Sequence, residues 1–368
     1  MIRVLYILDG VMHRAGTEAF IMNYFRHIDS QMVRIDIVQC SSGIEKGMFD
    51  EEITANGSKI YYLPYKLKHP FLYRKKLCEI LKSGNYKIVH GMCDATNGLV
   101  LKIAKECGIP VRIAHSHNTS TQTQNILKLM YANLNIYRIH RYANYRFACS
   151  EAAGKWLFKN DKFKVINNAI DLKTFQFSES KRERIRHDLG YQENDIVLGH
   201  VGRFSRQKNH EFLIQVFEQL HRRDLKYRLL LIGDGELKKQ ITEQVTRAGL
   251  KDYVTFVASI PNVADYYSAM DMFVLPSLFE GLVVVGIEAQ ANGLKCFFSK
   301  GTPNEVDFTK GNVSEFLPLE LKVWVDRIMD FYQYHHYDFF EEIIKRGYSI
   351  DIESDKLRRF YEEKVSSI

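Results

Sequence analysis

No two of the six cysteines stand in a C-x-x-C pair; Cys40, Cys78, Cys93, Cys107, Cys149 and Cys296 are scattered along the chain. That spacing argues against a zinc ribbon or a disulfide frame, and for reduced thiols in a cytosolic setting. No uncharged apolar run approaches the roughly 18 residues of a membrane span. The opening run breaks at Asp9-Gly10, far short of the apolar region of a signal peptide. A soluble or peripheral protein is therefore expected. Low-complexity tracts and internal repeats are absent. The glycines of Ile232-Gly233-Asp234-Gly235-Glu236-Leu237 make no G-x-G-x-x-G fingerprint, and no acidic strand end follows at the distance a ribose-binding dehydrogenase needs. A nicotinamide enzyme is disfavoured.

What is present is an ordinary globular composition, 46% apolar and 26% charged over 368 residues. That length suits two domains better than one core. The net charge of +7 hides a division: through residue 175 there are 25 Lys/Arg against 14 Asp/Glu, and beyond it 26 against 30. The basic first half is suited to an anionic partner by an attraction that salt screens. No recognition motif accompanies that charge, so nucleic acid is the weaker choice.

Short apolar runs alternate with longer amphipathic segments from end to end, the pattern of parallel sheets with crossover helices. Strands are expected at Arg3–Leu8, Ile35–Gln39, Lys59–Leu63, Ile88–His90, Val111–His115 and Tyr145–Cys149, and again at Ile196–Val201, Arg228–Ile232, Tyr253–Phe256, Met272–Leu275 and Lys295–Ser299. Two doubly wound α/β domains result, residues 1–170 and 171–345, followed by a C-terminal helix at 346–368. Ligands of such sheets bind outside the carboxyl ends of the strands.

The most informative segment runs from Pro276 to Ala289 and carries Glu280 and Glu288 eight residues apart. It reads as a strand end, a turn and a helix start. The N–H groups of Gly281, Leu282, Val283 and Val284 would open a helix N-terminus that favours a diphosphate, and Glu288, two turns on, would accept hydrogen bonds from ribose hydroxyls. Read alone, the same two acids also fit a solvated helix. The turn Asp9 to Glu18 places Gly16 at a second helix start. Gly202-Arg203 followed by Lys208-Asn209 puts two cations at a strand–helix junction, suited to a departing diphosphate. Gly233 and the loop at Ile260 would line a nucleotide pocket. His115 and His117 close the fifth strand; two histidines two apart also fit a metal pair, but no third ligand is suitably spaced.

With its flanks Asp271–Ser277 and Glu288–Leu294, the paired-glutamate segment resembles the E-x7-E signature of retaining glycosyltransferases of the GT-B fold. Arg203 and Lys208 match that family's G-R-x4-K-N element, and His117, better than His115, matches its active-site histidine. Ser299–Val306 and Arg112–Asn118 are similar to the exopolysaccharide and capsule branch, and the resemblance spans essentially the whole chain. It implies two facing domains with a cleft between them, the first binding acceptor and the second the nucleotide-sugar, with the last helix crossing back to the first domain. His117 would sit at the reaction centre, Glu280 would orient the donor sugar, Glu288 the ribose, and Arg203 and Lys208 would clamp the leaving group. Departures stand at Ala15, Ala169, Val283 and Gly286.

No D-x-D occurs in the chain, which agrees with a reaction that needs neither metal nor cofactor, with charge neutralised by the two cations and a helix start. The expected activity is transfer of a sugar, from a donor that is UDP-linked, to a lipid-linked or oligosaccharide acceptor in bacterial surface polysaccharide assembly. Alternatives are a nucleotide-sugar epimerase or hydrolase on the same fold, and an idle subunit that steadies a partner transferase. Lys66–Leu77 and Lys128–Arg146 mix cations with aromatic and aliphatic residues, a mixture suited to an anionic bilayer at the inner face of the membrane and equally to helices packing on a sheet with snorkelling lysines.

Overall fold

The computed structural model describes residues 1–368 except 14–15, 44, 122, 124, 261, 282, 310–312 and 332–335. The chain divides into two compact units, Met1–Ala169 together with Gly347–Ile368, and Ile170–Arg346.

The first unit holds a parallel sheet of β1 (Ile2–Ile7), β2 (Val33–Cys40), β3 (Ile60–Leu63), β4 (Ile88–Gly91), β5 (Val111–Ser116), β6 (Tyr145–Ala148) and β7 (Lys164–Val165), in the order 3-2-1-4-5-6-7. Such a sheet is covered on both faces, so its inner strand β1 is apolar from Val4 to Ile7. In β1 the alternation divides accordingly: Leu5 and Ile7 join one core, and Val4 and Tyr6 the other. The first core is closed by the helices Pro70–Ser83, Asn97–Glu106, Ile126–Tyr142 and Glu151–Phe158. The second is closed by Gly16–His27 and by the C-terminal helix Ile350–Ser366, whose Ile350, Leu357 and Tyr361 are buried in it. The last helix thus completes the first unit, with His27 and Ser354 meeting where it crosses Gly16–His27.

The second unit repeats the plan with β8 (Ile196–Val201), β9 (Tyr227–Ile232), β10 (Val254–Val257), β11 (Met272–Leu275), β12 (Lys295–Ser299) and β13 (Ser314–Leu317), parallel, in the order 10-9-8-11-12-13. Its core gathers Leu198, Phe217, Leu229, Leu231, Val274, Phe297 and Trp324. The order reverses between β1 and β4 in one sheet and between β8 and β11 in the other. These reversals are the switch points at which doubly wound sheets bind ligands.

Candidate active site

In the second unit the two loops at the switch point are stitched together. After β8 the chain passes through Gly202 and Arg203 into a tight turn at Arg206–Lys208, and Asn209 adopts the left-handed conformation before the helix His210–Arg223. The loop after β11 lies against it. Leu278 N–H donates to Gln207 O at 2.8 Å, Asn209 Nδ2 to Pro276 O at 3.1 Å, and Gln207 Nε2 to Phe279 O at 3.1 Å. One backbone bond and two side-chain amides on the carbonyls of Pro276 and Phe279 therefore fix the loop that carries Glu280.

That side chain is almost fully buried and heavily bonded. Lys208 Nζ donates to Glu280 Oε1 at 2.7 Å, Ser277 Oγ to the same oxygen at 2.6 Å, and Gln207 Nε2 to Oε2 at 3.1 Å. A buried carboxylate is tolerated only when paired and bonded in this way. Glu288 lies in the second turn of the helix Val284–Ala291 and accepts from Tyr267 Oη at 2.8 Å. Burial pushes its carboxyl up to about 7, against the opposing pull of the Tyr267 hydroxyl and of Lys208. The charge of one lysine is thus felt by both glutamates.

Gly281 and Val283 lead into that helix, with Val283 buried at its cap; Leu282 lies outside the described residues, as do Ala15 and Pro261. Arg203 stands apart from the paired lysine. Its side chain is 74% exposed and donates from Nε to Glu236 Oε2 at 3.1 Å. A surface pair of this kind is screened by solvent and contributes little, so the guanidinium is lightly held. Gly233, at φ +147°, packs so closely that a Cβ there would fall 2.1 Å from Gly202 O. Asp234 then joins three strand ends: its carbonyl accepts from Phe204 N–H at 3.0 Å, and its carboxylate accepts from Ser259 N–H at 2.8 Å and from Lys238 Nζ at 2.7 Å. Half-buried Ile260 follows Ser259 in this loop.

In the first unit His117 follows β5. Asp94, beyond β4, accepts from the N–H groups of His117 (2.6 Å) and Asn118 (3.2 Å) and from Asn118 Nδ2 (2.6 Å). Asp94 itself sits at φ 45°, a conformation unusual for a residue with a side chain and kept only where surrounding bonds over-determine it. The His117 ring stacks on His115 at 4.2 Å, meets Phe20 edge-on at 5.2 Å, and lies 3.3 Å from Met92 Sδ through Nε2. Burial pushes it down to about 3, so it is neutral at physiological pH. Gly16 opens the helix that carries Phe20, and a Cβ there would meet nothing within 4 Å.

The structure brings Glu280, Glu288 and Lys208 into one cluster and places Gly281, Val283 and Val284 beside it, with Gly233 at the neighbouring strand end. Gly16 and His117 belong to the other unit. Sequence reading missed Tyr267, Gln207, Asp94 and Asn118. Asp94 carried a signal, an acid just past the strand that borders the switch point. Tyr267 carried none. Among the described residues no group of three or more His, Cys, Asp or Glu is placed to hold a metal, and no helix is long and apolar enough to cross a membrane.

Two doubly wound parallel sheets in one chain, one with an acid pair, a lysine and a helix start at its switch point, define the GT-B glycosyltransferase architecture. The family model for group 1 glycosyl transferases matches residues 181–317, and that for glycosyltransferase family 4 matches residues 14–174. The chain is 32% identical over 339 residues to putative glycosyltransferase EpsF of Bacillus subtilis strain 168, covering 89% of this chain and 86% of that one. It is 24% identical to the Escherichia coli UDP-Gal:alpha-D-GlcNAc-diphosphoundecaprenol alpha-1,3-galactosyltransferase, over 95% of this chain and 94% of that one. The fold is similar to that of Anabaena Alr3699/HepE in complex with UDP, with a TM-score of 0.75 at 16% identity and full coverage of both chains. The chain belongs to the group 1 glycosyltransferases.

Proposed function

We propose that the chain transfers a sugar, with retention of configuration and without a metal, from a UDP-linked donor to a lipid-linked glycan in bacterial exopolysaccharide or capsule assembly. The observation that carries this reading is the cluster of Lys208, Glu280 and Glu288 beside the helix start at Val284. A nucleotide diphosphate at that helix start would meet a favourable dipole, with Glu288 accepting from the ribose and lightly held Arg203 turning from Glu236 to the phosphates. As the glycosidic bond breaks, negative charge grows on the leaving diphosphate, and Lys208 and Arg203 stabilise it. Glu280 has donors on both oxygens, which makes it a poor nucleophile; it orients the sugar instead. The acceptor hydroxyl then attacks from the side the diphosphate leaves, and the diphosphate takes its proton. Neutral His117 offers a hydrogen bond at the reaction centre.

UDP as the donor nucleotide and a diphosphate-lipid acceptor are supported by the names of the relatives, and assembly of surface polysaccharide by the sequence resemblance. Attachment at an anionic membrane surface is supported by the first unit. On the helix Ile126–Tyr142, Ala132, Ile136 and Ile139 pack inward while Ile126, Leu127, Met130, Leu134 and Tyr137 are exposed. Phe71, at the start of Pro70–Ser83, is 89% exposed. Lysines and arginines stand among them, as in interfacial helices.

The test is transfer from a panel of UDP-sugars to diphosphate-lipid acceptors, run with EDTA and with product anomers resolved by NMR. Inverted product, or loss of activity in EDTA, would defeat the mechanism. Binding of no nucleotide sugar by the pure chain, together with tight binding to a second transferase, would favour an idle subunit.

A further inference from the structure

The second core of the first unit contains a polar chain that the proposed reaction leaves unused. Tyr6 Oη lies 2.9 Å from Tyr361 Oη on the C-terminal helix, Tyr361 Oη lies 2.7 Å from His90 Nδ1, and His90 Nε2 lies 3.1 Å from His115 Nδ1. The rings of His90 and His115 stack at 5.2 Å, and that of His115 stacks on His117 at 4.2 Å. Tyr6, His90, His115 and Tyr361 are wholly buried. Burial holds His90 and His115 well below the usual histidine range, so each ring carries one proton, and a single run of donors must thread the chain.

Only two directions are open. If Tyr6 donates to Tyr361, Tyr361 to His90 Nδ1, and His90 Nε2–H to His115 Nδ1, then every hydroxyl proton is used. His115 Nε2 alone is left without a partner among the described residues. In the reverse direction the Tyr6 proton is stranded as well. The first direction leaves one buried polar atom unsatisfied, the His115 Nε2–H, and the reverse leaves two, the Tyr6 proton and the His115 Nε2 lone pair. Each is costly, so the first direction is favoured, and it fixes the proton of His115 on Nε2. His117 Nε2–H points at Met92 Sδ, a weak acceptor, which makes Nδ1 the accepting atom of that ring.

We infer that Tyr361, through His90 and His115, is a positioning residue that sets the orientation and tautomer of the histidine stack on which His117 rests. The inference rests on the placement of His117 at the reaction centre proposed above. It gives the C-terminal helix a part in transfer beyond covering the core. The hydroxyl of Tyr361 acts through two intermediate rings, and none of the three needs to touch substrate.

The experiment uses the full chain with 15N-labelled histidine, reading ring nitrogens by long-range 1H–15N correlation and steady-state kinetics side by side. Tyr361→Phe keeps the aromatic packing and removes the donor. Expected are shifted ring nitrogens at His90 and His115, a fall in kcat of about three- to tenfold, the size of one lost hydrogen bond, and an unchanged KM for the UDP-sugar. Tyr6→Phe is the control for destabilisation, because it empties the same buried layer and leaves Tyr361 bonded to His90; its kcat should match wild type. Unaltered ring nitrogens in Tyr361→Phe, or an equal fall in kcat in Tyr6→Phe, would overturn the inference. Full activity in His117→Ala alongside shifted ring signals in Tyr361→Phe would leave the linkage standing and remove the placement of His117 at the reaction centre.

Discussion

Lys208 Nζ lies 2.7 Å from Glu280 Oε1, although the two residues belong to different strand-end loops of the second unit. The pair is enclosed, with both side chains largely withdrawn from solvent. The ammonium is therefore already held in place before any diphosphate arrives, and its charge also acts on Glu288.

Removing one member of this pair strands the other. Lys208→Met should destabilise the second unit by about 3 kcal/mol, as buried charges left alone do, and lower transfer by about a hundredfold or more. Lys208→Met combined with Glu280→Gln should recover most of the stability and none of the activity. Urea denaturation of the two single variants and the double variant, with UDP release assayed in parallel, measures both. Additive stability losses would show that the contact is not energetically coupled.

Glu288 gives a pH signature with two opposite signs. Its folded carboxyl titrates near 7, above its ordinary 4.5. Between those values the folded chain holds a proton that the unfolded chain has released, so stability falls as pH rises through this window, by about 3 kcal/mol at most. Donor binding should move the other way and tighten through pH 7, because ribose hydroxyls need the carboxylate as acceptor. Glu288→Gln should flatten both curves and should be more stable than wild type at pH 8. Denaturation and calorimetric titration with UDP at pH 5, 6, 7 and 8 follow the two together.

The glycines separate by what surrounds them. At Gly16 and Gly281 an added methyl meets nothing within 4 Å, whereas at Gly233 it strikes the Gly202 carbonyl. Gly233→Ala should cost the fold roughly 2–4 kcal/mol, since both backbone angle and space forbid it. Gly16→Ala and Gly281→Ala should melt within a few degrees of wild type and yet lose affinity for the donor, if a ligand passes close to that backbone. Wild-type donor affinity in both would take these two positions out of the site.

Vesicle flotation tests the exposed apolar helix face. Binding should be seen with anionic vesicles, weaken with rising salt, and be small with zwitterionic ones. Leu127→Ser with Met130→Ser should reduce it by about tenfold, leaving the melting temperature in place because both side chains already face solvent.

Eleven strands were legible in the sequence because each is a short, mainly apolar run set between polar or amphipathic segments. The two that were not, Lys164–Val165 and Ser314–Leu317, are edge strands, the first only two residues long and the second half polar. Glu280, Glu288 and Lys208 were legible because their spacing along the chain survives folding. Their partners were not. Tyr267 reaches Glu288 from another helix, and Asp94 holds the His117 backbone across a strand order that only the sheet defines. Arg203 follows the end of β8, and its exposed pairing with Glu236 depends on a neighbouring loop.

The return of residues 347–368 to the first unit has a consequence for biosynthesis. Most of that unit, Met1–Ala169, is made before the second unit, yet its face around Val4, Tyr6 and Phe20 is not fully covered until Leu357 and Tyr361 have left the ribosome. The second unit has both its ends inside the nascent chain and can mature earlier. Truncation before Gly347 would therefore yield a protein whose second unit is sound and whose first unit is a client for chaperones.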